Sequence, residues 1–236
     1  MHTKTQILAA YESLATHYNA HIDTKAHNAL YDRPNTLALL GEVKGMTVLD
    51  AACGPGKYAE ILLGEGADVT GFDLSPEMVR LATERNAGKG HFFVHDLAET
   101  LPFADASFDV VVCALALDYL ETWGPTFREF YRVLRPGGRL VCSMQHPFFE
   151  YTYHNAQNYF TTEAVSSIWK GFGKRVEVPC YRRPLSAIIG PLLESGLILA
   201  QLVEPLPLPE MQAVEPEKYA SLCRFPGFMM LRAVKG

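Results

Sequence analysis

Apolar residues Ile7, Leu8, Tyr11, Leu14, Ala15 and Tyr18 recur at the three- and four-residue spacing of one helix face, predicting an amphipathic helix over about residues 4–18. The polar stretch Asn19 to Asp32 breaks that period and reads as a loop or a broken helix. Asp32-Arg33-Pro34 has the form of a helix start, with proline in the first turn of a helix reaching about Leu40. From Thr47 the period changes. Strand patterns over 47–51, 68–72, 91–95, 108–114 and 139–144 alternate with helical ones over 57–64, from a Ser75 cap to about Ala87, and over 125–134. The 108–114 run is almost wholly apolar, as expected for a strand covered on both faces. Repeated β-α units of this length predict an α/β, doubly wound, mostly parallel sheet with ligands at the C-terminal strand ends.

Beyond residue 145 the alternation stops. Residues 146–183 read as irregular and hold nine aromatic residues, among them Phe148, Tyr153, Trp169 and Phe172, with five Lys or Arg against three Glu. A helix over 185–195, bent at Pro191, a strand over 197–203, a Pro-rich loop, a short helix near 216–223 and a strand over 227–234 complete the chain. One domain is expected. Its parts are an N-terminal helical cover (1–45), a cofactor-binding core (46–145), a substrate-lid insertion (146–183) and a C-terminal helix with strands (184–236).

Composition narrows the classes. With 48% hydrophobic residues in 236, a sizeable core is available. A net charge of −5 gives no overall positive field, so nucleic acid is not an expected partner. The five cysteines are scattered without metal-like spacing, and His17, His21 and His27 lack partner acids, so no metal site is expected. No apolar run reaches membrane-spanning length and no leader-like segment opens the chain; a cytoplasmic protein without a membrane partner is the expectation. Oligomeric state is not legible.

The chemistry gathers around Thr47-Val-Leu-Asp50-Ala-Ala-Cys-Gly54-Pro-Gly56. Strand, small-residue turn and helix N-terminus form a cradle for a nucleotide-like ligand. A dinucleotide would also use this loop, with Asp73 on the ribose, so the loop alone leaves an NAD(P)-dependent oxidoreductase open. Context favours S-adenosylmethionine: Asp50 ends the first strand, where an acid could meet a cationic amino group, and Asp96 ends the third, where it could bind an adenine amino group.

Val48-Leu-Asp-Ala-Ala-Cys-Gly-Pro-Gly56, Val69-Thr-Gly-Phe-Asp-Leu-Ser75, Asp96-Leu97, Phe108-Asp-Val-Val-Val112 and Leu134-Arg-Pro-Gly-Gly138 follow in order. Together they resemble the class I S-adenosylmethionine-dependent methyltransferases, in their small-molecule (methyltransferase type 11-like) branch. The resemblance implies a Rossmann-like seven-stranded sheet whose last strand is antiparallel. It also implies methyl transfer to oxygen or nitrogen of a small-molecule acceptor, with S-adenosylhomocysteine as product. A non-catalytic binder of the same cofactor is a second alternative.

On this reading Asp73 takes the ribose hydroxyls, Asp50 the ammonium end and Asp96 the adenine amino group. Leu74, Leu97 and Met78 pack the adenine, Ala51, Gly54 and Gly56 shape the loop, and Ala114 and Leu115 face the methionine end. Tyr18, Tyr31 and Arg33 fold over as an N-terminal cover. His146, just past the fifth strand, is the candidate general base, and Arg182 or Arg183 a candidate anchor for an anionic acceptor. Each has an ordinary structural alternative: Asp73 as a helix-start acid, Tyr18 as core packing, Arg33 as a surface residue, His146 as a strand terminator. The family's loop has three alternating glycines; Ala52 stands at the first.

Overall fold

The computed structural model describes residues 4–236. Helix α1 (Lys4–His21) is followed by a π-helical turn (Asn28–Asp32) that runs directly into α2 (Arg33–Leu40). The expected helix start at Asp32 is therefore displaced. Asp32 already has helical φ, and its carboxylate accepts from the Tyr58 hydroxyl at 2.7 Å instead of capping a backbone N–H.

The β-α alternation follows as β1 (Thr47–Ala51), α3 (Lys57–Gly64), β2 (Asp68–Asp73), α4 (Pro76–Arg85), β3 (His91–Val94), β4 (Phe108–Ala114), α5 (Gly124–Val133) and β5 (Leu134–Gln145). Ser75 caps α4, its hydroxyl accepting the Met78 N–H at 3.1 Å. Arg135-Pro-Gly-Gly138 is a bulge within β5 and not a free turn: Phe108 pairs with Leu134, then Val110 with Arg139. Glycine is needed at 138 because a Cβ there would stand 3.0 Å from the Asp109 carbonyl and 2.8 Å from that of Arg135.

Past β5 come α6 (Pro147–Tyr153), β6 (Glu163–Trp169), β7 (Val176–Arg182), α7 (Ser186–Glu194), β8 (Leu197–Val203), α8 (Met211–Val214), α9 (Pro216–Leu222) and β9 (Phe228–Lys235). The main sheet is ordered β3-β2-β1-β4-β5-β9-β8. Its first five strands are parallel, and β9 is antiparallel to both β5 and β8. This is the Rossmann-like sheet with its last strand inserted antiparallel. The central strands β1 and β4 are covered on both faces: Leu49 and Val111 face one buried cluster with Trp123, Phe127 and Phe130, while Val48, Val110 and Val112 face another with Leu39, Leu40 and Leu62.

Residues 146–183 are not irregular. They form α6 and an antiparallel β6–β7 hairpin, a separate two-stranded sheet. Two strands alone are marginal in water, so the hairpin must bury a face. It does so against α1, where Val176, Val178 and Phe172 pack on Ala10 and Leu14. No helix among the described residues is long and apolar enough to cross a membrane.

Candidate active site

A cavity of about 790 Å³ lies beyond the C-terminal ends of β1, β2 and β4, with α1 and the β6–β7 hairpin contributing to its wall. Its floor is the β1–α3 loop. That loop passes through left-handed conformations at Ala52 (φ 61°), Gly54 (φ 53°) and Gly56 (φ 75°), the three positions of the glycine pattern. Alanine at 52 adopts the glycine-like conformation and carries its strain. At Gly54 a Cβ would meet nothing within 4 Å. At Gly56 it would stand 2.7 Å from Asn86 Nδ2 and 2.9 Å from Ala82 Cβ. Gly56 therefore serves the close approach of α3 to α4 and lies outside the cavity wall.

Three carboxylates from successive strand ends face the cavity. Asp50 is 2% exposed, and its Oδ2 is buried without a hydrogen-bond partner among the described residues. Burial, reinforced by the nearby Asp73, pushes its pKa up to about 7. Asp73 accepts from Ser75 N–H through Oδ1 and from Gly54 N–H through Oδ2, both at 2.9 Å. Burial raises it to about 6 against the pull of those amides. Each carboxylate oxygen has a second acceptor direction left for a diol. Asp96 is more occupied than expected: Ala98 N–H sits on Oδ1 at 2.9 Å, and Lys4 Nζ is 2.7 Å from Oδ2.

Leu74, Met78, Leu97, Ala114, Leu115, Tyr18 and Arg33 also line the cavity. Tyr18 packs on Phe172 with ring centroids 4.7 Å apart, and an Arg33 N–H donates to the Ile22 carbonyl. Leu115 is a second non-glycine residue at positive φ (52°) in the wall.

Other candidates lie elsewhere. Tyr31 is fully buried outside the wall; its hydroxyl accepts from Gly227 N–H at 3.0 Å and Phe228 N–H at 3.3 Å, fixing the start of β9. Ala51 is buried in the sheet. His146 is 3% exposed and also outside the wall, because the chain leaves β5 towards β9: its own N–H donates to the Gly227 carbonyl. Its Nδ1 accepts Phe148 N–H at 3.2 Å, capping α6, and Nε2 lies 2.8 Å from Glu204. Arg182 is bound to Glu163 and the Asn158 carbonyl, and Arg183 lies over the Trp123 ring at 4.3 Å, so neither is in the wall.

Sequence reasoning passed over Tyr11, Asp118 and Tyr119. The Tyr11 and Tyr119 hydroxyls are hydrogen-bonded to one another in the wall. Asp118, 9% exposed, accepts Gln145 N–H at 2.9 Å through Oδ2, and burial pushes it up to about 7. The available signals were Tyr11 seven residues before Tyr18 on one helical stripe, and an acid four residues past an apolar strand.

A family model described as a methyltransferase domain matches residues 49–142. Demethylmenaquinone methyltransferase of Lactococcus lactis is 30% identical over 177 residues, 71% of this chain and 69% of its own. The chain belongs to the class I S-adenosylmethionine-dependent methyltransferases. Malonyl-[acyl-carrier protein] O-methyltransferase of Pseudescherichia vulneris is 37% identical over 58% of the chain; the chain spans about half of that relative's length (53%). Among solved structures, an S-adenosylmethionine-dependent methyltransferase of Mesorhizobium loti aligns with a TM-score of 0.71 at 25% identity, over 91% of this chain and 100% of that one.

The residues present fit the family's cofactor. The orphaned Asp50 oxygen is a buried acceptor suited to an ammonium group, and such an atom left unpaired costs about 1–3 kcal/mol. Asp73 offers a two-oxygen acceptor for a vicinal diol, while Leu74, Met78 and Leu97 supply an apolar slot.

Proposed function

We propose that this chain methylates an oxygen or nitrogen of a small, largely apolar or aromatic acceptor held between the cofactor-binding loop and the β6–β7 hairpin. The observation that carries the reading is one cavity whose wall combines the strand-end carboxylates Asp50, Asp73 and Asp96 with an aromatic end made by Tyr11, Tyr119, Tyr153 and Trp169. S-adenosylmethionine, when bound, supplies an electrophilic methyl group on a sulfonium. The protein's own task is to orient, exclude water and accept a proton. Tyr11, Tyr119 and Trp169 pack edge to face, with Tyr11 ring centroids 5.3 Å from Tyr119 and 6.3 Å from Trp169, giving a rigid surface for a planar acceptor.

Asp118 takes the general-base role expected of His146. Its Oδ2 is held by Gln145 N–H, leaving Oδ1 to receive the proton of an acceptor hydroxyl or ammonium group, and its pKa near 7 suits that exchange. The test is incubation with methyl-labelled S-adenosylmethionine and a small-metabolite extract. A labelled small product formed with S-adenosylhomocysteine is expected; tight cofactor binding with no transferred label across such extracts would overturn the reading.

A further inference from the structure

Next to the acceptor end of the cavity, three side chains from two separate segments come together. Glu150 and His154 stand one turn apart on and just after α6, and β7 brings Cys180 beside them. A carboxylate oxygen, an imidazole nitrogen and the thiol sulfur lie within 4.8 Å of one another. The Glu150 and His154 side chains are 9% and 10% exposed, and His154 Nε2 is 3.3 Å from Glu150 Oε2. That contact lacks hydrogen-bond geometry: His154 Nε2 is buried without a hydrogen-bond partner among the described residues. A buried ring nitrogen aimed at a carboxylate and a thiol, yet satisfied by neither, marks a place made for something that accepts electron pairs.

We propose that Glu150, His154 and Cys180 bind a single divalent transition-metal ion of zinc type, with its open coordination position towards the acceptor. Mixed O, N and S donors suit zinc and exclude the all-oxygen preference of magnesium or calcium. Tetrahedral bonds of about 2.0–2.3 Å separate ligand atoms by roughly 3.3–3.8 Å, so the observed spacing needs only side-chain rotations to close. Binding takes the Cys180 proton to solvent; one carboxylate, one thiolate and a neutral imidazole then balance the two positive charges. Three protein ligands leave a fourth position, and because Glu150 and Cys180 line the cavity, that position opens there. A metal so placed would hold the acceptor's heteroatom and lower its pKa, delivering an anionic nucleophile near neutral pH. The role rests on the methyl-transfer reading; the metal site itself does not.

The test is therefore metal binding, measured apart from turnover. Chelator-stripped protein is titrated with Zn²⁺ in competition with a chromogenic zinc indicator, and with Co²⁺ by absorption. The expected result is one zinc per chain, a thiolate-to-cobalt charge-transfer band, at least tenfold weaker zinc binding in His154→Ala and in Cys180→Ser, and no change in the exposed-cysteine control Cys223→Ser. His154→Gln serves if the alanine variant does not fold, and circular dichroism establishes folding for each. Wild-type protein that binds no more zinc than the Cys180→Ser variant, or binds cobalt without the thiolate band, overturns the site. Stripped protein that methylates as fast as metal-loaded protein would overturn the catalytic role. Failure of methyl transfer with zinc bound would overturn only the functional reading above.

Discussion

Asp73 Oδ2 accepts the backbone N–H of Gly54 at 2.9 Å, tying the end of β2 to the crest of the β1–α3 loop. The same carboxylate faces the cavity, so one group fixes the shape of the loop and keeps acceptor directions open to the cavity, as the proposed ribose contact requires. Asp73→Asn keeps an acceptor for one amide but turns the other oxygen into a donor facing either Gly54 N–H or Ser75 N–H. Loss of about 1–3 kcal/mol of fold stability is expected, with cofactor affinity weakened at least tenfold. Urea unfolding and a calorimetric titration measure the two effects; a variant that binds the cofactor as wild type does would remove Asp73 from the site.

The loop's three left-handed positions predict three different outcomes. Ala52→Gly relieves a strained φ of 61° and should stabilise the fold by roughly 0.5–1 kcal/mol, since the relief outweighs the added unfolded-state entropy. Gly54→Ala meets no protein atom, so it should cost only its backbone strain, about 1–2 kcal/mol. Gly56→Ala carries the same strain and also drives a methyl into Asn86 and Ala82; about 2–4 kcal/mol is expected. Urea midpoints in the order Ala52→Gly, wild type, Gly54→Ala, Gly56→Ala support the assignment, and equal losses at 54 and 56 contradict it.

His146 and Asp118 give a direct contrast. His146→Ala removes the α6 cap and the Glu204 partner, and should lower stability by about 1–2 kcal/mol while leaving the chemical step intact. Asp118→Asn retains an oxygen for Gln145 N–H but cannot accept a proton, so turnover with the true acceptor should fall about 10²–10⁴-fold with cofactor affinity unchanged. Single-turnover rates for both variants decide between the two residues.

The strand-end half of the cavity was legible because it is local. Asp50, Gly54, Asp73 and Asp96 each sit within a strand-turn-helix unit whose period announces where the strand ends, and the parallel sheet aligns those ends. The acceptor half is built by tertiary contacts that period cannot reveal. Asp118 meets Gln145 across 27 positions, and Tyr11 meets Tyr119 across 108. The β6–β7 hairpin escaped notice because Glu163-Ala-Val-Ser-Ser-Ile-Trp169 is only half-buried and Pro179 interrupts its partner, so neither strand shows a clean apolar alternation. Its stability comes from packing on α1, about 160 residues earlier in the chain. His146 does follow a strand end, but the partner strand β9, arriving from the far C-terminus, decides which way the chain turns there.

The raised pKa values of Asp50 and Asp73, about 7 and about 6, predict that cofactor binding at these two groups is linked to proton release. Both groups titrate near 4 in an unfolded chain, so between about pH 4 and their folded values the folded protein holds protons that the unfolded one has released. Their contribution to the ligand-free fold is therefore fully present below about pH 4 and is lost as pH rises through 6 and then 7. An ammonium group on Asp50 and hydroxyl donors on Asp73 favour the ionised carboxylates, so binding pulls both values down and releases protons. Cofactor affinity should accordingly weaken by up to tenfold per unit below about pH 7, more steeply below about pH 6, and fall again above about pH 8 as the ligand's own ammonium group releases its proton. Calorimetric titrations near pH 6 in two buffers of different ionisation heat should show this release directly, and Asp50→Asn should abolish the part of it that appears nearest neutrality. A cofactor Kd that stays flat from about pH 5.5 to about pH 8 would mean that neither carboxylate changes its charge on binding, and the ammonium-binding role of Asp50 and the ribose-binding role of Asp73 would fall together.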